Sequence, residues 1–285
     1  MYANLSVCTS RNRPTMKTEN TYLITFSPTG TSFKTGKAIL KGIGLETETI
    51  DLTHTETGYM DIPSDAIAVF SFPVYGGHIA PAAVKRLKNV SSSRASAVAV
   101  AVYGNRDYES ALCELGDMLR AQGFRIIAGA TFVGEHSYCS KDFPIAPGRP
   151  DADDLRQAEE FGWAIRQKTD STDCNEVELK DIRRPKSGLW NKLCFIAGVI
   201  KIRRSKKPRQ MAPETDSSKC TECSLCIKIC PTGAINEDIS TTAEKCIRCC
   251  ACVKRCPRKA RTFDTPFAPL LARHFSSHKE NMTIL

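Results

Sequence analysis

The chain has 285 residues, 41% of them hydrophobic and 25% charged, with a formal charge of +9. That is ordinary globular composition with room for two domains, and its best apolar run, LCFIAGVI at 193–200, is far too short to cross a bilayer. Of the 14 cysteines, nine lie between Cys220 and Cys256, which excludes an evenly spread disulfide framework and favours metal-bound thiolates in a reducing cytoplasm.

Residues 1–20 read as an N-terminal extension; 1–15 carry no pattern and read as disordered or as upstream of a start at Met16, which begins a run into the first strand. From Thr21 strand and helix alternate. TYLITFS (21–27) has a buried-strand pattern, and TSFKTGKAILKGI (31–43) has helical spacing through Phe33, Gly36, Leu40 and Ile43. TETIDL (47–52) reads as a weaker strand. AIAVFSF (66–72) and SAVAVAVY (96–103) are almost continuously apolar, as strands covered on both faces must be. A helix is expected over 108–123, ending at Gly123, then a fifth strand over 124–133. The last helix of this half, 150–167, opens with Pro150 and a group of acids that suit a helix N-terminus. The expectation is an α/β domain over 21–168, a doubly wound parallel sheet of five strands.

Residues 169–210 read as a linker holding one apolar segment, 187–204. A basic run surrounds it: Arg183, Arg184, Lys186, Lys192, Lys201, Arg203, Arg204, Lys206, Lys207 and Arg209. A solvated linker accounts for it, and so does a docking surface for an acidic protein partner. No nucleic-acid motif accompanies the charge. Residues 211–262 form a small cysteine-dense unit, and 263–285 read as a C-terminal tail.

Two constellations carry chemistry. SPTGTS (27–32) joins the first strand to the first helix. There backbone N–H groups and the helix dipole favour an anion, and the hydroxyls of Ser27, Thr29, Thr31 and Ser32 add donors, while Gly30 permits close approach. Taken alone, the loop reads equally as a helix cap. It has no Walker lysine, so nucleotide hydrolysis is not implied. Two further loops share that sheet edge, PVYGGHIAP (73–81) and YGNRDYES (103–110), and each sets glycine beside tyrosine. GEHSY (134–138) follows the fifth strand, so His136 is either a plain surface histidine or a fourth contribution to the same edge.

In these three loops the sequence resembles the flavodoxin family over residues 21–167. The resemblance implies FMN, with its phosphate held by Ser27, Thr29, Gly30, Thr31 and Ser32. It implies that Tyr75, Gly76, Gly77, Tyr103, Gly104, Asn105 and Arg106 face the ring. Ser32 stands where that family usually has Thr.

The second constellation is Cys220-x2-Cys223-x2-Cys226-x3-Cys230-Pro231, repeated 26 residues later as Cys246-x2-Cys249-x2-Cys252-x3-Cys256-Pro257. Two-residue spacers let three thiolates wrap one iron–sulfur cluster while the fourth reaches across to a second. Zinc is the competing ligand, but it usually takes pairs of cysteines in two knuckles. The segment resembles a bacterial two-[4Fe–4S] ferredoxin. The resemblance implies one cluster on Cys220, Cys223, Cys226 and Cys256, and another on Cys246, Cys249, Cys252 and Cys230. Cys250 is left over, at a position where that family often has Gly or a small residue. Two oxidised clusters at about −2 each would offset much of the basic charge.

The whole chain resembles flavodoxin–ferredoxin fusion proteins of anaerobic bacteria and archaea. The expectation is an electron carrier between redox protein partners. The alternatives are an oxidoreductase whose flavin reduces a quinone, nitro compound or enone, and a flavin-sensing module. There is no G-x-G-x-x-G nicotinamide fingerprint and no catalytic residue is assigned. A homo-oligomer stays among the alternatives, because a flavin and a cluster too far apart in one chain can meet across two.

Overall fold

The computed structural model describes residues 20–54, 58–171, 174–183, 188–205 and 210–285. The expected N-terminal extension, apart from its last residue, lies outside the described residues, as do Arg184, Lys186, Lys206, Lys207 and Arg209 of the basic run.

In chain order the first domain runs β1 (Asn20–Thr25), α1 (Thr31–Ile43), β2 (Glu46–Asp51), β3 (Met60–Ile62), β4 (Ile67–Tyr75), β5 (His78–Ile79), α2 (Pro81–Leu87), β6 (Val90–Ser92), β7 (Ser96–Tyr103), α3 (Ala111–Ala121), β8 (Arg125–Val133) and α4 (Ala152–Asp170). Then come α5 (Leu189–Arg204), β9 (Glu214–Thr215), α6 (Leu225–Lys228), α7 (Ala251–Lys254), β10 (Arg261–Thr262), α8 (Phe267–Phe275) and β11 (Met282–Ile284).

Five strands are parallel, in the order β2-β1-β4-β7-β8. Numbered by rank among themselves this is 2-1-3-4-5, the flavodoxin-like doubly wound order, whose switch point lies between the first and third strands. Alternate residues feed two cores, as a strand period of two requires. Ala68, Phe70, Phe72, Ala97, Ala99 and Ala101 face Leu87, Leu112, Leu115 and Leu119 of α2 and α3. Ile67, Val69, Val98 and Val100 face Ile39, Ile43, Phe161 and Ile165 of α1 and α4. On that second face α1 and α4 nearly touch. A Cβ on Gly42 would stand 1.9 Å from the Glu159 carbonyl oxygen, and one on Gly162 would stand 1.9 Å from that of Ile39.

Several expectations need correcting. The expected helix over 108–123 begins at Ala111, because Tyr108 turns into the core and sets its ring edge-on to Tyr103, centroids 5.7 Å apart. The sheet gains two antiparallel members beyond the five: β5 hairpins onto β4, and β11 pairs with β8. Residues read as a tail therefore hold a helix and an edge strand of the main sheet. Residues read as a linker also enter the core, where Val177 donates to the Ile126 carbonyl at 2.9 Å. Leu179, 1% exposed, fills the space over Gly116 and Gly129.

The cysteine unit folds as a pseudo-symmetric pair. β9 pairs with β10 through Thr215 and Arg261, and 26 residues on and back the Ile235–Thr241 bridge repeats that pairing. α6 and α7 occupy the same place in each half, and so do the left-handed residues Glu222 and Arg248, Ser224 and Cys250, and Gly233 and Lys259. Hydrogen bonds from Lys254 and Arg86 fasten the unit to the first domain. Lys254 donates to Glu135 at 2.5 Å and to the His136 carbonyl at 2.9 Å, and Arg86 donates to the Pro231 carbonyl at 2.6 Å.

Candidate flavin pocket and cluster sites

The loops beyond the carboxyl ends of β1, β4, β7 and β8 surround a cavity of about 550 Å³, a normal size for a cofactor site. Thr29 and Thr31 line it from the first loop, Tyr75 and Gly76 from the second, and Tyr103, Gly104 and Arg106 from the third. Gly134 to Tyr138 close a fourth side, with Phe195, Val199 and Arg203 of α5 opposite. Met211, Ile247 and Arg248 of the cysteine unit, then Phe263, Thr265, Phe267 and Leu271, complete the wall.

The first loop is built for an anion. Gly30 takes a left-handed φ of 88° at the N-cap of α1 and supplies no side-chain cap, and the first turn holds no acid. Ser27 is committed to the helix, its Oγ accepting from the Phe33 N–H at 3.0 Å. Ser32 is fully buried and its hydroxyl has no partner among the described residues. The N-terminus of α1, with no acid in its first turn, fits an anionic ligand. Thr29 and Thr31 reach the cavity, whereas Ser27, Gly30 and Ser32 stand behind its wall.

The ring-facing set divides. Gly76 and Gly77 have φ of 66° and 94° and form the two-residue turn between β4 and β5, which needs positive φ at both positions. Gly77 lies off the cavity, with the Glu109 side chain against it. Tyr103 is in the wall, but its ring is buried in the core and its hydroxyl is unpartnered among the described residues. Asn105 does not face the cavity. Its side chain is 1% exposed and donates from Nδ2 to the carbonyls of Phe275 at 2.6 Å and Ser277 at 2.8 Å. Arg106 pairs with Glu109 at 2.5 Å and stands 5.9 Å from the centre of the Phe195 ring.

His136 is part of the wall. Its Nδ1 accepts the Tyr138 backbone N–H at 3.0 Å, so the single proton of the neutral ring sits on Nε2. Burial, then the charges of Lys254 and Arg106, push its pKa down to about 4, which keeps the ring neutral at physiological pH. A Cβ on Gly104 would meet His136 Cδ2 at 2.4 Å, so glycine there makes room for the imidazole.

The cysteines surround two smaller cavities, in the sets expected from the repeat. Cys220, Cys223, Cys226 and Cys256 line one, together with Cys252. Cys230, Cys246, Cys249 and Cys252 line the other, together with Cys250. Among the described residues no three His, Cys, Asp or Glu side chains converge as on a single ion. Thiolates ringing a cavity suit a cluster, with its irons at several corners. Backbone donors repeat as the ligands do. The N–H groups of Glu222 and Arg248 lie 3.4 Å from Cys220 and Cys246 Sγ, and those of Ala234 and Ala260 lie 3.2 Å from Cys230 and Cys256 Sγ.

Cys250 occupies the place of Ser224 in detail. Ser224 Oγ donates to the Glu222 carbonyl at 3.3 Å, and Cys250 Sγ donates to the Arg248 carbonyl at 3.6 Å. Both residues have left-handed φ, 57° and 58°. Burial, then the neighbouring Cys249 and Cys252, raise the Cys250 thiol pKa well above its ordinary value.

The flavin-type cavity and the Cys246 cavity share the Ile247 side of the cysteine unit. Tyr75 spans them, lining the first and packing against a small core of Ile229, Cys249 and Ala251. Burial raises its phenol pKa well above the ordinary value, with Cys249 and Cys250 next in effect. Sequence reasoning missed this half of the wall. Ile247 and Arg248 are spacers in the cysteine run, and Phe195, Val199 and Phe263 lie outside both constellations, so spacing gave no sign of them.

Comparison with known proteins finds one family match, in the cysteine unit. Residues 213–236 match the family model described as a 4Fe-4S binding domain. No curated protein matches the chain by sequence. Similar solved structures include a flavodoxin from the domain Archaea, at 12% identity and TM-score 0.36, covering 53% of this chain and 99% of that one. They also include a short-chain flavodoxin associated with a non-canonical PDU bacterial microcompartment, at 10% identity and TM-score 0.37, covering 54% and 99%. An NADH:FMN oxidoreductase in its apo form has 14% identity and TM-score 0.37, covering 53% and 89%. These are likenesses of fold alone. By its own strand order and its cysteine repeat, the chain joins a flavodoxin-like α/β domain to a ferredoxin-type 4Fe–4S module.

Proposed function

We propose that the chain is an electron-transfer flavoprotein that relays electrons between FMN and two [4Fe–4S] clusters, with redox proteins as its partners. The observation that carries this reading is the shared wall: Tyr75 and Ile247 belong both to the four-loop cavity and to the surroundings of the Cys246 site. A flavin there adjoins the cluster of Cys246, Cys249, Cys252 and Cys230 within one chain, and no second subunit is needed.

When bound, FMN exchanges one or two electrons and each cluster one, so together they join two-electron to one-electron chemistry. The protein's share is placement. Thr29, Thr31 and the N-terminus of α1 receive the phosphate. His136 Nε2–H gives the ring edge a neutral donor. Val199, Ile247 and Leu271 line the cavity with apolar surface and limit water. Cys223 is the exposed cysteine of the other set, which supports an exit towards partners on that side.

The test is anaerobic reduction by a low-potential one-electron protein donor, followed at the flavin absorbance. Wild-type protein should hold about eight irons and eight sulfides per chain and reduce its FMN through them. Cys249→Ser, which keeps the FMN loops, should slow that reduction at least tenfold. Unchanged flavin reduction in Cys249→Ser would sink the relay. Rapid turnover of a quinone, nitro compound or enone, with no transfer to protein acceptors, would favour the oxidoreductase.

A further inference from the structure

Arg261 is the least ordinary charged residue of the module. It is 3% exposed, and no ion pair to a carboxylate reaches it among the described residues. Nη1 donates to Thr215 Oγ1 at 2.6 Å and to the Ile239 carbonyl at 2.8 Å. Nη2 donates to Thr241 Oγ1 at 2.5 Å, to the Pro213 carbonyl at 3.2 Å and weakly to Cys252 Sγ at 3.9 Å. Nε is buried without a partner among the described residues. The guanidinium also lines the Cys220 cavity, while Cys252 lines both cavities, so the charge lies between the two cysteine sets.

Every assigned oxygen partner is neutral. A guanidinium cannot shed its proton in a protein, and a buried cation without a counter-charge is strongly unfavourable. The repeat makes the placement pointed. The residue 26 positions earlier is Ile235, so the other half of the pseudo-symmetric module puts an apolar side chain where this half puts a cation. The only strongly anionic bodies that the cysteine chemistry supplies nearby are the clusters themselves, at about −2 each when oxidised and more negative when reduced.

We propose that Arg261 is the fixed counter-charge of the cluster pair, raising the reduction potential of both clusters. The inference rests on the iron–sulfur reading of the cysteines and deepens it. Each reduction adds one electron from a low-potential donor and no proton, so the added negative charge is met by a cation already in place. The sign follows from Coulomb's law: a neighbouring positive charge favours the more negative state. Being buried, the effect is only weakly screened by salt. The single cation also makes the two clusters unequal although their ligand spacing is identical.

The experiment is a reductive titration of the full-length holoprotein followed by electron paramagnetic resonance, with iron and sulfide measured on each sample. Arg261→Met removes the charge and keeps much of the length; Arg261→Lys keeps the charge and loses the fork. Arg261→Met should shift both potentials to more negative values, with the same shift at low and high salt. Arg261→Lys should stay close to wild type. Unchanged potentials in an iron-replete Arg261→Met protein would overturn the proposal, and so would an equal negative shift in both variants, which would assign the effect to the hydrogen-bond fork. If Arg261→Met loses its iron, Arg261→Lys decides: retained clusters at near wild-type potentials support the counter-charge, and loss of iron there too overturns it. Wild-type protein without iron and sulfide would instead remove the iron–sulfur reading on which the proposal stands.

Discussion

Asn105 offers a sharp test of how the third loop is held. Its Nδ2 donates to two carbonyls of the C-terminal segment, Phe275 at 2.6 Å and Ser277 at 2.8 Å, and its backbone has a left-handed φ of 61°. Each neutral bond contributes about 0.5–1.5 kcal/mol net, so losing both costs about 2 kcal/mol. The left-handed conformation adds about 1 kcal/mol for alanine, which asparagine tolerates better and glycine escapes. Asn105→Gly should therefore lose about 2 kcal/mol and Asn105→Ala about 3 kcal/mol, while Asn105→Asp should be worst, since it sets a carboxylate against two carbonyl oxygens. Urea unfolding at constant slope measures the order, and FMN titration by fluorescence quenching should follow it, because Gly104 and Arg106 flank the anchored residue. An Asn105→Ala protein as stable as Asn105→Gly, or any variant within about 0.5 kcal/mol of wild type, would refute the anchoring argument.

Other outcomes are equally specific. Cys250→Ser should keep about eight irons per chain, whereas Cys249→Ser should lose the Cys246 cluster and spare the other, as iron analysis with paramagnetic resonance of each variant will show. Thr29→Ala with Thr31→Ala should weaken FMN far more than riboflavin; equal weakening in the two titrations would move the phosphate elsewhere. Burial pushes the Asp154 carboxyl up, but hydrogen bonds from Arg149, Asn281 and the Asp151 N–H outweigh it and leave its pKa below the ordinary value. A depressed carboxylate stabilises the fold above its unfolded pKa of about 3.9, and that part is lost as pH falls through the folded value. Asp154→Asn should therefore flatten the acid limb of a stability–pH curve. Gly162→Ala should cost several kcal/mol in denaturant unfolding, since its Cβ would stand 1.9 Å from the Ile39 carbonyl oxygen and force α1 and α4 apart.

Much of this was legible because it is periodic. The strand alternation around Phe70 and Val98 and the 26-residue step from Cys220 to Cys246 are written in spacing, and the structure agrees with both. The rest depends on partners far along the chain. Asn105 sits in a loop of the expected kind, yet its side chain answers to residues 275 and 277, a separation no local pattern encodes. β11 has three residues, too few to show alternation, and joins the sheet only because β8 offers a free edge. The apolar residues of α5 run all round the helix, so periodicity could not say that Phe195 and Val199 face the cavity while Trp190 and Ile196 stay exposed.

The pairing of β9 with β10 brings the two ends of the cysteine unit together, so it sits in the chain like a parenthesis. The C-terminal residues beyond it complete the domain that precedes it: Phe275 and Ser277 secure the third loop, Asn281 bonds the Val133 N–H at 2.9 Å, and β11 closes the sheet edge. A ribosome delivers these parts in order. The five parallel strands emerge first, both cysteine runs next, and the closing pieces last. A chain stalled anywhere inside the parenthesis carries an unfinished pocket, because the pieces that complete it follow both cysteine runs.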